Sequence, residues 1–263
     1  MPNGEQLDRL LAVRATAHRI GAPSLTSVAE LEAWIEDRSM ALVSGRSAVP
    51  SASEAIVGRA IEGSWWGDPE GSLIYGLLTA IESTTPPIAD LVLVDGKRTL
   101  VSSRLLPIVQ ALAADAERRR RVIAGLKAPA RRVLDLLGDE RAIRAEDTSL
   151  SAAEFRKARG ALESGLLARS TSVHTESGHH ASLLEGSGSG SDSGEGAAPA
   201  GGEAALRSLL ESALWSAVVA SRREMEKWFR FVEPDAVRRR AAIDELGARP
   251  VDGPGGVWLT LLG

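Results

Sequence analysis

Apolar residues recur at three- and four-residue spacing through most of the chain, interrupted by a few short β-prone runs. The first stripe, Leu7, Leu10, Leu11, Ala17 and Ile20, predicts a helix over residues 5–20. A second, capped by Thr26 or Ser27, runs to about residue 37 with Val28, Leu31, Trp34 and Ile35 turned inward, and residues 40–44 read as a short strand. Near Pro50 a new unit begins. Ser51 and Glu54 have the spacing of a capping box, and the helix they open is expected to reach about residue 61. Asp68-Pro69 is a cap followed by a first-turn proline, and Leu73, Ile74, Leu77, Leu78 and Ile81 supply the apolar face of the helix to about residue 81. Residues 91–101 form the clearest hairpin, because Asp95-Gly96 offers the two positive-φ residues of a type I′ turn between β-prone runs. A long helix over 104–126 then leads onward.

The most informative stretch runs from residue 128 to 185. A short amphipathic helix carries Pro129 in its first turn and is expected to close at Gly138; the apolar-basic piece Ala142-Ile143-Arg144 follows. Ser151 and Glu154 form a second capping-box pair, opening a helix over 152–165 whose apolar positions are Phe155, Ala158, Leu162 and Leu166. Residues 170–184 read as two strands around Glu176-Ser177-Gly178-His179. Helix, short strand, capped helix and hairpin is the order of a winged helix, which places its recognition helix in the DNA major groove. On that reading Arg156, Lys157 and Arg159 meet DNA, with Arg169 and the wing histidines His174, His179 and His180 beside them. Winged helices also serve as protein-binding modules, and basic residues are ordinary on a solvated helix face. Residues 50–102 suggest another such unit. Beyond residue 202 come a helix over 203–231, one from Pro234 to about 246, and a terminal hairpin, a candidate third fragment.

Composition narrows this picture. Hydrophobic residues make up 44% and charged residues 25%, as in globular proteins, and there is no cysteine to form a disulfide, thiolate metal site or thiol nucleophile. The longest apolar candidate, 206–220, contains Arg207 and Glu211, and the first residues lack a signal-peptide pattern, so a cytoplasmic protein without a membrane span is expected. Residues 186–202 are almost wholly Gly, Ser, Ala, Asp and Glu, the composition of a flexible linker. The net charge of −4 is unevenly placed: residues 104–169 hold 14 Lys and Arg against 9 Asp and Glu. Arg118 to Arg121, the densest basic block, reads as a solvated helix end or a phosphate clamp. Trp65 and Trp66, between glycines, could anchor a loop on the core or form a stacking surface for a base. The three wing histidines could converge on a metal, but His179 and His180 are adjacent and in a strand would point to opposite faces, so no metal and no cofactor is expected.

Val49-Pro50-Ser51, Glu54-Ala55-Ile56, Gly63-Ser64-Trp65-Trp66-Gly67, Leu93-Val94-Asp95-Gly96-Lys97 and Val173-His174-Thr175-Glu176-Ser177-Gly178 together resemble, in order, a bacterial family of winged-helix proteins related to the AlkZ-type DNA glycosylases. The resemblance covers roughly residues 45 to 185. It implies tandem winged helices and a link to DNA binding or repair. AlkZ-type glycosylases carry a Gln-x-Gln or Gln-x-Asp motif that positions water at the sugar of the damaged nucleotide. This chain has two glutamines, Gln6 and Gln110, and Gln6-Leu7-Asp8 matches those letters only within the N-terminal amphipathic helix. The family usually has a histidine where Asp68 stands and another near Ser102, so the resemblance carries no catalytic residue over.

The sequence thus predicts an α+β, predominantly α-helical chain of tandem winged-helix units with short hairpin wings. Its parts are an N-terminal helical segment (1–48), a winged-helix-like unit with a connecting helix (49–125), a winged helix (126–185), a linker (186–202) and a C-terminal helical segment with a hairpin (203–263). Duplex DNA is the expected partner; a DNA glycosylase and a protein-interaction module are the alternatives. A continuous positive face favours DNA, a concave pocket with a buried carboxylate favours the enzyme, and an exposed apolar patch favours a protein partner.

Overall fold

Among the described residues, three small antiparallel sheets, each laid over its own helices, organise the protein. The computed structural model describes residues 2–140, 142–174, 180–186 and 201–262. Helix α1 (Pro2–Ala17) comes first, followed by α2 (Val28–Arg38), β1 (Met40–Leu42), α3 (Ala52–Val57), α4 (Gly71–Ala80), β2 (Ala89–Val92) and β3 (Arg98–Val101). Two connecting helices, α5 (Leu106–Ala114) and α6 (Ala116–Ala124), lead to α7 (Ala128–Asp139), β4 (Ala142–Ile143), α8 (Ala152–Ser164), β5 (Ala168–His174) and β6 (His180–Gly186). The last group is α9 (Gly202–Ala217), β7 (Val219–Ser221), α10 (Arg222–Trp228), α11 (Ala236–Asp244), β8 (Arg249–Gly253) and β9 (Gly256–Thr260).

The same topology appears three times. In each group a helix precedes a short strand, a helix or helical turn and then a further helix follow, and a hairpin ends the group. Each sheet has the order first, third, second: β1-β3-β2, β4-β6-β5 and β7-β9-β8. The isolated short strand therefore pairs with the last strand of its own group, Met40 opposite Val101, Ile143 opposite Leu184 and Val219 opposite Thr260. In the middle group the helical turn is a 3-10 turn over Ala145–Asp147.

Several boundaries differ from the sequence expectation, each for a local reason. The helix expected over 104–126 is two helices, because Asp115 leaves helical geometry (ψ 112) and its side chain accepts from the Arg118 backbone N–H at 2.6 Å. The helix expected over 203–231 stops at Val218 (φ 65), where Val219 and Ala220 join the sheet opposite Thr260 and Leu259; long-range pairing and β-branched side chains override the helical spacing. Helix α3 ends at Val57 instead of near residue 61. Gly58 turns left-handed (φ 67), and a Cβ there would fall 1.9 Å from the Ala22 carbonyl oxygen. Glu54 does not close the capping box with Ser51, and its carboxylate accepts from the Ile61 N–H at 3.2 Å. Asp68 precedes α4 without capping it, and α7 runs through Gly138. The Asp95-Gly96 turn is as expected: φ is 51 and 71, and the Lys97 N–H donates to the Val94 carbonyl at 3.0 Å.

The first and middle groups each have a core of their own, built on Leu31, Ile35, Ile56, Ile74 and Leu100 in one and on Val133, Ile143, Phe155, Leu162 and Leu184 in the other. The largest core joins groups. Met40, Leu42, Val94 and Val101 from the first sheet pack with Val109 and Leu112 of α5 and with Leu206, Leu210, Leu214, Trp228 and Phe229 of the last group. Helix α1 lies on the last sheet, where Leu7 and Leu10 meet Val219 and Val251. No helix among the described residues is long and apolar enough to cross a membrane.

His18, just past α1, is held between these parts. Its Nε2 donates to the Ser216 carbonyl of α9 at 3.1 Å. Burial, partly offset by that bond, pushes the imidazole down to about 4 from an ordinary 6.5, with Arg14 and Arg38 nearby adding to the effect. The unfolded chain therefore takes up a proton that the folded protein refuses. Stability should be full above pH 6.5 and fall by roughly 2–3 kcal/mol as the pH drops toward 4. In urea unfolding at pH 7 and pH 4.5, His18→Gln should flatten that pH dependence; an unchanged slope would rule out His18 as its source.

Candidate nucleic-acid interface

Helix α8 is the element that the sequence marked for contact, and its start is built as expected. The Glu154 N–H donates to Ser151 Oγ at 3.3 Å, and the Ser151 N–H donates to the Glu154 carboxylate at 3.0 Å. The Ser151 donors hold the Glu154 carboxyl below the usual range, with Arg132 of α7 and Lys157 adding a smaller pull. Phe155, Ala158 and Leu162 face the middle core. That anchoring leaves Arg156 and Lys157 exposed, with no ion-pair partner among the described residues.

The other expected contacts are placed differently. Arg159 is turned to the side of α8 that faces the first group. It is half-buried and lies 3.7 Å from Glu163, and its Nε has no hydrogen-bond partner. This side of the helix packs near β2, where Asp90 pairs with Arg98, and burial raises the Asp90 carboxyl against that pairing. Arg169, exposed on β5, is paired with Glu185 of β6 at 3.0 Å. His174 and His180 face each other in the β5–β6 register. His179 lies outside the described residues. Of the expected set, Arg156 and Lys157 are exposed without an ion-pair partner among the described residues, while Arg159 lies beside Glu163 and Arg169 is paired with Glu185.

A second feature was not visible from the sequence. Where the three groups meet, a cleft of about 570 Å³ opens between the first hairpin (Asp95, Gly96), α6 (Arg121), α8 (Ala161) and the loop after α10 (Arg230, Phe231). Phe231 is 41% exposed, and the Arg230 guanidinium lies 4.8 Å from its ring centre. The Arg230 Nε is also 2.8 Å from Asp95 Oδ1, a buried carboxylate oxygen. Gly96 permits the close approach, because a Cβ there would come within 3.0 Å of Phe231 Cε2. At the back, Arg121 forks onto the buried Glu233, Nε to Oε1 at 3.1 Å and Nη2 to Oε2 at 2.6 Å. Asp95-Gly96 was legible only as turn chemistry. Its partners stand far off in sequence, so only the fold brings them together.

The Arg118–Arg121 block is divided: Arg120 is exposed and Arg119 half-buried, as at a solvated helix end, whereas Arg118 and Arg121 turn inward. Arg118 is 1% exposed, and Arg121 is paired with Glu233 and Glu117. Gln6 and Asp8 are exposed on α1, and Gln110 on α5, so no glutamine reaches the cleft. Asp68 holds Arg59 through two bonds, at 2.9 and 2.7 Å, and Ser102 is buried, accepting from the Leu105 N–H. Among the described residues no three His, Asp or Glu side chains form a group able to hold a metal ion.

In fold the chain is similar to the Streptomyces sahachiroi DNA glycosylase AlkZ, with a TM-score of 0.51 and 10% identity, over 94% of this chain and 69% of that one. At that identity the likeness is one of fold. No protein-family model matches the chain, and no curated protein matches it.

The Arg121–Glu233 fork closes the back of the cleft between α6 and the last group. Arg121→Ala should lower unfolding stability by about 2–3 kcal/mol, because it leaves a buried carboxylate with fewer donors. A loss within the range of an ordinary surface substitution, about 0.5 kcal/mol, would contradict that role.

Proposed function

We propose that this protein binds duplex DNA as a set of tandem winged helices, with α8 as the recognition helix and the β5–β6 hairpin as its wing. The observation that carries this reading is the combination of topology and charge on one element. Helix, strand, helical turn, helix and hairpin, with the first strand pairing beside the third, supports a winged-helix reading, on which α8 is the helix that enters the major groove. Its outward positions are Arg156 and Lys157, with Arg132 of α7 near its start. The fold likeness to a DNA glycosylase supports the same partner.

Binding through these cations is a phosphate-contact effect and should weaken steeply with salt. In fluorescence anisotropy with a labelled random duplex at two salt concentrations, Arg156→Ala/Lys157→Ala should weaken binding and lower the log–log salt slope by about 2, near 0.9 for each phosphate left unneutralised. Arg159→Ala, whose cation is half-buried beside Glu163, should change the slope much less. Equal slopes for wild type and the double variant would sink the assignment of α8.

A second reading rests on the cleft. The cleft of about 570 Å³ has Asp95 and Phe231 in its lining and would take an extruded base once Arg230, which lies over the Phe231 ring and pairs with Asp95, is displaced. On this reading the protein is a glycosylase acting on damaged bases, with Asp95 the carboxylate beside the sugar. Incubation with alkylated duplex would then release free base, and Asp95→Asn would abolish the release without weakening duplex binding.

A further inference from the structure

Helix α4 holds the same place in the first group that α8 holds in the middle one, yet its outer surface has different chemistry. Its exposed positions are Ser72, Tyr75, Gly76, Thr79 and Ala80, with no charge among them. Trp66, in the 3-10 turn just before it, is 68% exposed, and Tyr75 is 50% exposed; their ring centres are 5.5 Å apart at 41°. Trp66 is stacked on Trp65 at 4.2 Å, and Trp65 packs against the first core. The turn is closed from Ser64, whose Oγ accepts from the Trp66 N–H and whose carbonyl accepts from the Gly67 N–H. Trp65 is thus the core anchor, and Trp66 is an aromatic face held outward on a rigid base.

Two observations say what covers that face. Among the described residues the other two exposed aromatic rings each carry a guanidinium of their own: Arg38 lies 5.3 Å from the Trp215 ring centre and Arg230 4.8 Å from that of Phe231. Trp66 and Tyr75 have no such cation among the described residues, because the arginine in this region, Arg59, is bound to Asp68 and Glu70. The surroundings are also acidic. From residue 59 to 80, the turn and α4 together, the charged residues are Glu62, Asp68 and Glu70 against Arg59 alone, and Glu62 is exposed in the loop that bears the tryptophans. Such a surface repels phosphate and attracts a cation. We infer that the Trp66–Tyr75 face is a docking surface for a basic segment of a partner protein, whose Arg or Lys side chain stacks on Trp66 with Glu62 at its rim. The DNA surface on α8 and the partner surface on α4 are then separate.

The test uses the full chain and a fluorescein-labelled peptide of repeated Arg-Pro, with a Glu-Pro repeat and a single-stranded oligonucleotide as the other probes. The Arg-Pro peptide should bind wild type, with Kd about tenfold or more weaker for Trp66→Ala and largely kept for Trp66→Phe. Duplex binding should be unchanged in both variants. Arg-Pro binding that is absent, or equal in wild type and Trp66→Ala, overturns the inference. So does single-strand binding that Trp66→Ala abolishes, which would make the face a base-stacking platform, or Glu-Pro binding as tight as that of Arg-Pro.

Discussion

Arg118 is the point at which the connecting helices, the middle group and the last group are tied together. Its guanidinium is buried where they converge, and its Nη1 donates to the carbonyls of Gly165, at the end of α8, and Val232, in the loop before α11, each at 2.9 Å. Its Nη2 reaches the carbonyl of Ala113, at the end of α5, at 3.3 Å. Removing a guanidinium from water is costly, and burial lowers its pKa to about 10, against the pull of Glu233 and Asp115, so it stays charged at neutral pH. One side chain thus satisfies chain ends from the connecting helices, the middle group and the last group. Beside it the Arg121–Glu233 fork ties α6 to the last group, and Arg239 donates to the Glu233 carbonyl at 2.6 Å.

Three copies of one topology present three different third helices. On α8 two cations stay unpaired among the described residues. On α4 the outer face is aromatic and uncharged in acidic surroundings. On α11 the consecutive Arg238, Arg239 and Arg240 are all engaged within the last group or with its neighbours: Arg238 with Glu203 and Glu117, Arg239 with the Glu226 and Glu233 carbonyls, Arg240 with Glu226. Counting arginines would have ranked α11 above α8. Their partners reverse the order, because a cation already held by a carboxylate has little left to offer a phosphate.

Local chemistry was legible in the sequence. Ser151 and Glu154 announced α8, Asp95-Gly96 announced the first hairpin, and the stripe through Phe155, Ala158 and Leu162 announced which face of α8 is buried. What was not legible depends on contacts distant in the chain. The strand at Val219 exists because Thr260 and Leu259 lie opposite, and the break at Asp115 aims Arg118 at carbonyls far along the sequence. The cleft draws on residues 95, 121, 161 and 231, so no single window could contain it. Arg169 was expected at the interface because it is basic, and its carboxylate neighbour Glu185 is set by strand register; the i,i+4 spacing of Arg159 and Glu163, by contrast, stood in the sequence.

The most direct measurement of this arrangement is the unfolding of Arg118→Met, followed by calorimetry and by urea titration. The substitution keeps much of the volume but leaves two buried carbonyls, of Gly165 and Val232, and the part-buried one of Ala113 without this donor. A loss of about 3 kcal/mol is expected, with Tm falling by roughly 6 °C or more. An unchanged Tm would show that the connecting helices, the middle group and the last group hold their places without Arg118 and would contradict its central role.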